Sequence, residues 1–343
     1  MSNLIKEKNL HFEVPSGKKK ERLDLFLSDA IENATRTRIQ KLIEVDLVKV
    51  NAEATKANYK VRSGDKIDVT IPISPRPENA EPENIPLDII YEDEFLIVVN
   101  KPAGMVAHPA YSNYTGTLVN ALLHHTQNLS GLNEPGRPGI VHRIDKNTSG
   151  LLVVAKDNYT HAQLAAQFSK HKTEREYWAV CWGVFRQKKG TIETKITRSK
   201  KDRKVFVASE KEGKTAVTHF KVLEEFEFAS LVKLNLETGR THQIRVHLSS
   251  INHPVFGDET YGGRRIVYGS SLPKVKARGQ NLLNIMPRQA LHAKTLGFIH
   301  PHKKEYVRFD SELPGDMKEL IKKLENNDGK VRTQTTPTTQ NLH

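Results

Sequence analysis

The stretch Gly139-Ile140-Val141-His142-Arg143-Ile144-Asp145-Lys146-Asn147-Thr148-Ser149-Gly150 decides how the rest of the chain is read. It sets one carboxylate beside an arginine and ahead of a Thr-Ser-Gly turn, and the apolar run Leu151-Leu152-Val153-Val154-Ala155 comes next. Asp and Ser bond their own backbone in turns and Gly accepts positive φ, so the pattern alone favours a tight strand-to-strand turn. The chemical reading gives the work to the Asp145 side chain itself, because no Cys/His cluster or phosphate-cradling glycine loop accompanies it. Neither metal nor cofactor is expected.

Working outward, strand signals dominate. Phe95-Leu96-Ile97-Val98-Val99 is a second apolar run, and it stops at Lys101-Pro102-Ala103-Gly104. Residues 158–170 carry His161, Leu164, Ala165 and Phe168 on one side, the spacing of a helix. Residues 176–184, 191–198 and 214–222 read as strands, and Val232, Leu234 and Leu236 alternate with Lys233 and Asn235 as in a half-buried one. The expectation over 88–325 is an α+β domain on a mixed, mainly antiparallel sheet.

Two further stretches could hold chemistry. If Glu176 to Gly183 is a strand, Tyr177, Ala179, Cys181 and Gly183 share a face, where a flat ring could stack on the tyrosine; a core tyrosine is the equal alternative. Leu236 to Leu248 ends a strand, turns at Thr238-Gly239 and opens a helix that Thr241 is placed to cap, with Ile244, Leu248 and Ile251 buried. Arg245 falls in its first turns, either on the surface or facing back toward the preceding strands.

Upstream, Leu23, Phe26, Leu27, Ala30, Ile31 and Ala34 recur at helical steps over 22–35, and Thr35 can cap a second helix with the stripe Ile39, Leu42, Ile43. Short strands are expected at 48–50 and 67–71. Arg36, Arg38 and Lys41 lie off the buried stripe, which taken alone describes a solvated face. Pro72, Pro75, Pro77, Pro82 and Pro86 mark an extended linker, because proline disfavours helix at the residue before it. The expected order is a flexible N-terminus (1–19), a small α/β module (20–72), a Pro-rich linker (73–87), the large domain (88–325) and a disordered tail (326–343).

The 343 residues hold 53 Lys+Arg against 40 Asp+Glu, a net +13 that favours a polyanionic partner through counterion release. Residues 261–304 hold nine Lys/Arg, among them Arg264, Arg265, Lys274 and Lys276, and no Asp or Glu. Lys195, Arg198, Lys200, Lys201, Arg203 and Lys204 crowd a second segment, with Asp202 as its one acid. A lone cysteine, Cys181, excludes an intrachain disulfide and a cysteine-rich zinc site. No run approaches ~18 apolar residues and no leader-like segment opens the chain, so a cytoplasmic, non-membrane protein is expected.

Together the motifs resemble those of the RluA/RluD family of pseudouridine synthases. His142 to Gly150 is similar to its catalytic-aspartate motif, with Ile144 where Leu is common. Arg240-Thr241-His242-Gln243-Ile244-Arg245-Val246-His247-Leu248 is similar to its third motif. Lys101 to Gly104 through His108-Pro109, His253-Pro254 through Gly257-Asp258, and Arg288-Gln289-Ala290-Leu291-His292-Ala293 match other signatures in order. Residues 20–72 resemble a small RNA-binding module named after a small-subunit ribosomal protein, with Asp46 and Ala52 replacing two turn glycines. Ala tolerates left-handed backbone poorly, so the turn at Ala52 is expected to differ in shape.

The resemblance implies isomerisation of uridines in RNA, most of all large-subunit ribosomal RNA, by a monomer. It makes Asp145 the essential carboxylate, Arg245 its cationic partner and Tyr177 the residue stacked on the target base. Arg143 then occupies space vacated by a flipped nucleotide, and His142 supports the loop. Arg36, Arg38, Lys41, Arg264, Arg265, Lys274 and Lys276 become RNA contacts. A transfer-RNA target, or a catalytically silent ribosome-assembly factor, would share the charge and the module.

Overall fold

Alternation of Leu10 and Phe12 with exposed neighbours starts the chain as a strand. The computed structural model describes residues 6–18, 20–31, 34, 36–73, 80–109, 113–132, 137–266 and 273–328, in two units divided after Pro77. The first unit holds β1 (Lys6–Glu13), α1 (Leu23–Ala30), α2 (Arg36–Glu44), β2 (Val48–Val50), β3 (Glu53–Ala54) and β4 (Lys66–Ile73), with sheet order β1-β4-β2-β3. Leu23, Phe26, Leu27, Ile39, Leu42 and Ile43 pack on Val48, Val50, Ile67 and Val69, as their spacing predicts.

Strand β1 corrects the expectation of a flexible N-terminus. It pairs with β4 from Lys6↔Ile73 to Glu13↔Lys66, where an unpaired edge would otherwise leave backbone groups open, and Leu10 and Phe12 reach the core. The helical reading over 22–35 is also shortened, since α1 stops at Ala30; Thr35 lies outside the described residues. Ala52 holds left-handed backbone, at φ 69°, a conformation that alanine tolerates poorly.

In the second unit come β5 (Ile89–Glu92), β6 (Leu96–Lys101), α3 (Leu118–His125), β7 (Ser149–Ala155), α4 (Asn158–Ser169), β8 (Glu174–Trp182), β9 (Lys189–Arg198) and β10 (Phe206–Ser209). After them run β11 (Lys214–Glu225), β12 (Ala229–Leu236), α5 (Gln243–Ser250), α6 (Pro273–Ile285), β13 (Leu291–Ile299), β14 (Tyr306–Asp310) and α7 (Gly315–Asp328). The strands join one sheet in the order β10-β9-β11-β12-β8-β13-β7-β6-β5, with β14 beside β13. Every pairing is antiparallel except β13 with β7, so the mainly antiparallel α+β fold holds.

The apolar runs explain the middle of the sheet. Ile97, Val99, Leu152 and Val154 enter the main core, while Leu96, Val98, Leu151 and Val153 face a second cluster with Leu164, Leu296 and Phe298. Burial on both faces is why β6 and β7 read as continuous rather than alternating. Helix α3 went unread in the sequence although it has a capping box, in which Thr117 and Asn120 each bond the other's backbone N–H.

Of the residues expected as a linker, Ile73 ends β4 and 74–79 lie outside the described residues. Residues 80–87 belong to the second unit: Asn120 Nδ2 donates to the Glu81 carbonyl (2.7 Å) and Glu83 N–H to the Asn120 carbonyl (2.9 Å). Prolines keep this segment out of a ladder, so a side chain and a helix carbonyl hold it instead. The expected disordered tail begins inside α7, and its remainder beyond Asp328 lies outside the described residues.

Candidate active site

The turn at Asp145 is closed by backbone: the Thr148 N–H donates to the Asp145 carbonyl at 3.0 Å. The carboxylate itself is therefore left over from turn formation. Four successive residues after it are each held from outside. The Lys146 carbonyl accepts from Gly104 N–H (2.9 Å) and Lys101 Nζ (3.2 Å), and the Asn147 carbonyl from Arg288 Nη1 (3.0 Å). Thr148 Oγ1 accepts from Gln289 Nε2 (3.3 Å), and Ser149 Oγ meets His292 Nδ1 at 2.9 Å. Gly150 then enters β7 at φ 117°, where a Cβ would stand 2.3 Å from the Ala293 carbonyl oxygen.

Lys101 is fully buried, with Nζ also donating to the carbonyls of Pro102 (2.7 Å) and Met105 (2.8 Å). Burial, then the charge of Arg288, pulls its pKa down to about 7. The carbonyl acceptors favour the ammonium form against that pull.

Asp145 finds its cation on α5. Arg245 Nη1 donates to Asp145 Oδ2 at 3.0 Å, while Nε and Nη2 grip Asp258 Oδ2 (2.6 Å) and Oδ1 (2.9 Å). The guanidinium lies 4.9 Å from the Tyr261 ring centroid. Burial works against its charge, but the hydrogen bonds and charge of Asp258, then of Asp145, hold its pKa above the ordinary value. Asp258 is fully buried and also accepts from the N–H groups of Thr260 (2.9 Å) and Tyr261 (3.1 Å). Its approach needs Gly257, at φ 77°, since a Cβ there would meet the Arg288 carbonyl at 2.2 Å.

Asp145, Arg245, Tyr177 and Arg143 line one cavity of about 610 Å³, a size in the ~300–1,000 Å³ range of small-ligand sites. The 21% exposure of the Asp145 side chain is thus exposure at this cavity. Tyr177, on β8, is buried, and burial raises its phenol pKa, so the ring stands there protonated. Arg143 is exposed at the rim. His142 accepts from the Val153 N–H (3.1 Å) and stacks on Phe168 (4.3 Å), and burial pulls its pKa to about 3, so it supports the loop as a neutral acceptor.

Within the second unit, the other expected contacts are not among the residues lining this cavity. Arg264, Arg265, Lys274 and Lys276 are exposed and none lines it; Arg264 Nη1 donates to the Pro287 carbonyl (3.3 Å). Of the other basic residues in that segment, Arg278, Arg288, Lys294 and Lys303 pair with Glu227, Asp316, Asp310 and Asp93. Lys195 to Lys204 does belong to a hairpin, β9–β10. In the first unit Lys41 is exposed and the Arg38 side chain lies outside the described set. Arg36 Nε donates to the fully buried Asp24 at 2.9 Å, so it also has a structural task.

Sequence reading gave no role to Asp258, Tyr261 or His242, although two of them stood inside quoted motifs. It also set Thr241 as the cap of α5. Thr241 is exposed, His242 takes the N-cap position at φ 57°, and Gln243 Oε1 instead accepts the Arg240 N–H (2.9 Å). Among the described residues no metal-holding cluster occurs and no helix is long and apolar enough to cross a membrane.

Known proteins resemble this chain in sequence and in fold. The RNA pseudouridylate synthase profile matches residues 95–250, and the S4 domain profile matches 21–67. The chain is 47% identical over 309 residues to the uncharacterized RNA pseudouridine synthase YlyB of Bacillus subtilis, covering 90% of this chain and 96% of that one. It is 47% identical to the ribosomal large subunit pseudouridine synthase D of Zymomonas mobilis, covering 88% and 93%. The solved human RNA pseudouridylate synthase domain containing 4 aligns at TM-score 0.53 and 26% identity, covering 69% and 92%. On this likeness along nearly its whole length, the chain belongs to the RNA pseudouridine synthase family.

Proposed function

We propose that this chain converts uridine to pseudouridine in large-subunit ribosomal RNA, with Asp145 as the acting carboxylate. The observation that carries the reading is the bridge Asp145–Arg245–Asp258, with one carboxylate at the cavity and the other buried beneath it. Asp258 fixes the guanidinium, and the guanidinium gives the Asp145 carboxylate a hydrogen-bonded counter-charge at the cavity.

The reaction breaks the C1′–N1 bond, turns the uracil and forms C1′–C5; the C5 hydrogen leaves as a proton and N1 takes one up. Nothing is oxidised and no other reactant is consumed. Asp145 either attacks C1′ or takes a ribose proton. Tyr177, kept protonated by burial, offers the base a flat apolar surface. Arg143 at the rim is placed to fill the gap left by an extruded nucleotide, whose unstacking costs roughly a few kcal/mol. Relatives named for the ribosomal large subunit, in Zymomonas mobilis, Haemophilus influenzae and Neisseria meningitidis, support that RNA as the target.

Tritium release from 5-tritiated uridine tests this on ribosomal and transfer RNA transcripts. Wild type is expected to release tritium from large-subunit ribosomal RNA, and Asp145→Ala to release none while still binding it. Equal release from both proteins would take Asp145 out of the chemistry, and none from either would favour a silent binding factor. Free uracil in the supernatant would indicate a glycosidase, and release from transfer RNA alone would move the target.

A further inference from the structure

His242 stands beside the reacting carboxylate with a ring nitrogen left over. Tyr261 Oη accepts from the Phe206 N–H at 3.0 Å and lies 2.7 Å from His242 Nδ1. Tyr261 is buried, and His242 Nδ1 is the acceptor within reach of its hydroxyl hydrogen among the described residues. A buried O–H left without an acceptor is costly, so the phenol donates and Nδ1 accepts. The tautomer is then fixed: the proton of the neutral ring sits on Nε2.

That Nε2 lies 3.9 Å from Asp145 Oδ2, too far for a hydrogen bond, and has no other partner among the described residues. About 23% of the side chain remains exposed, at the cavity wall. The residue also holds left-handed backbone, φ 57°, which a glycine or asparagine would adopt with less strain. Edge contacts with Phe206 and Tyr261 clamp the ring, with centroids at 5.7 and 5.6 Å. Burial lowers its pKa, and Arg245 and Arg143 add to that against the opposing charges of Asp145 and Asp258, so the ring is neutral near pH 7.

A substrate atom between Nε2 and Asp145 must accept from an N–H and sit against a carboxylate. A hydroxyl does both, accepting from one and donating to the other. Within an RNA strand the 2′-hydroxyl is the hydroxyl each internal nucleotide has, and it neighbours C1′. We infer that His242 is a second substrate-contacting group, its Nε2–H donating to the 2′-oxygen of the nucleotide whose sugar Asp145 engages. The inference rests on the isomerase reading and deepens it: the pair His242–Asp145 recognises ribose and so distinguishes RNA from DNA at the target position.

The test is a two-by-two comparison of single-turnover rates on a short target RNA. Wild type and His242→Ala are each given the ribo target and the same strand with one 2′-deoxyuridine at that site. On the ribo target His242→Ala is expected to be slower by about tenfold, the loss of one hydrogen bond, with RNA affinity within about threefold. On the deoxy target the two proteins should run at matching rates. His242→Gln, which can place an amide near the Nε2 position, should recover part of the loss. Tyr261→Phe, which frees the tautomer but keeps the ring under Arg245, should show a smaller loss of the same kind. Equal rates on the ribo target, or the same fold-loss on both targets, would overturn the assignment. A wild type that forms no pseudouridine would overturn the isomerase reading first, and this one with it.

Discussion

Replacing Asp258 with Asn would exchange a bidentate carboxylate for a carboxamide beneath Arg245. Charge-assisted bonds of this kind are worth about 1.5–3 kcal/mol each, so a drop of roughly 10²-fold in single-turnover rate is expected, with RNA affinity within a few-fold. An unchanged rate would mean that Arg245 keeps its place without its anchor. Another single-residue expectation concerns Ala52, which holds φ 69° where a glycine would rest unstrained. Ala52→Gly should stabilise the turn by about 1 kcal/mol. Slower hydrogen exchange of the Asn51 amide, which donates to the Lys66 carbonyl at 2.7 Å, would show it.

Among elements, α1 and α2 are tied by a buried charge rather than by apolar contact alone. Asp24, on α1, takes hydrogen bonds from Arg22, Arg36 and Gln40, and its pKa is lowered, through Arg22 first and against burial. A depressed carboxylate stabilises the fold above its unfolded pKa of about 3.9, and that stability is lost as pH falls below it. Asp24→Asn should therefore destabilise the N-terminal unit by about 2 kcal/mol near neutrality, a figure reduced because both arginines are partly exposed. The mutant's deficit should shrink at acid pH; a constant deficit would point to packing instead. On β9–β10, the hairpin's basic tip and its link to the cavity run through one strand, since Phe206 both succeeds the tip and bonds Tyr261.

Across the whole molecule, net charge +13 is shared between tasks. Some arginines and lysines are spent on internal acids, as Arg288 is on Asp316, and these cannot also neutralise phosphate. Arg264, Arg265, Lys274 and Lys276 stay exposed, so their joint replacement by Gln should weaken RNA binding without altering the cavity. The slope of log affinity against log salt should become shallower by up to about 0.7–0.9 per lost phosphate contact. A filter-binding titration with an unchanged slope would take this surface out of the footprint.

What the sequence determined by itself was local or periodic. Runs buried on two faces announced β6 and β7, helical stripes announced α1, α2 and α4, and turn chemistry announced Thr148-Ser149-Gly150. Asp145, Tyr177 and Arg245, which line one cavity, were singled out because whole motifs resembled a family, not because any one residue was distinctive. Strand β1 and helix α3 were missed, the first for want of a visible partner and the second for an unusual cap. Only the tertiary structure decided what the Asp145 carboxylate faces, since Arg245 lies 100 positions away and Asp258 a further 13. Side-chain pairing at such separation leaves no trace in spacing: the sheet and α5 must form before those charges meet.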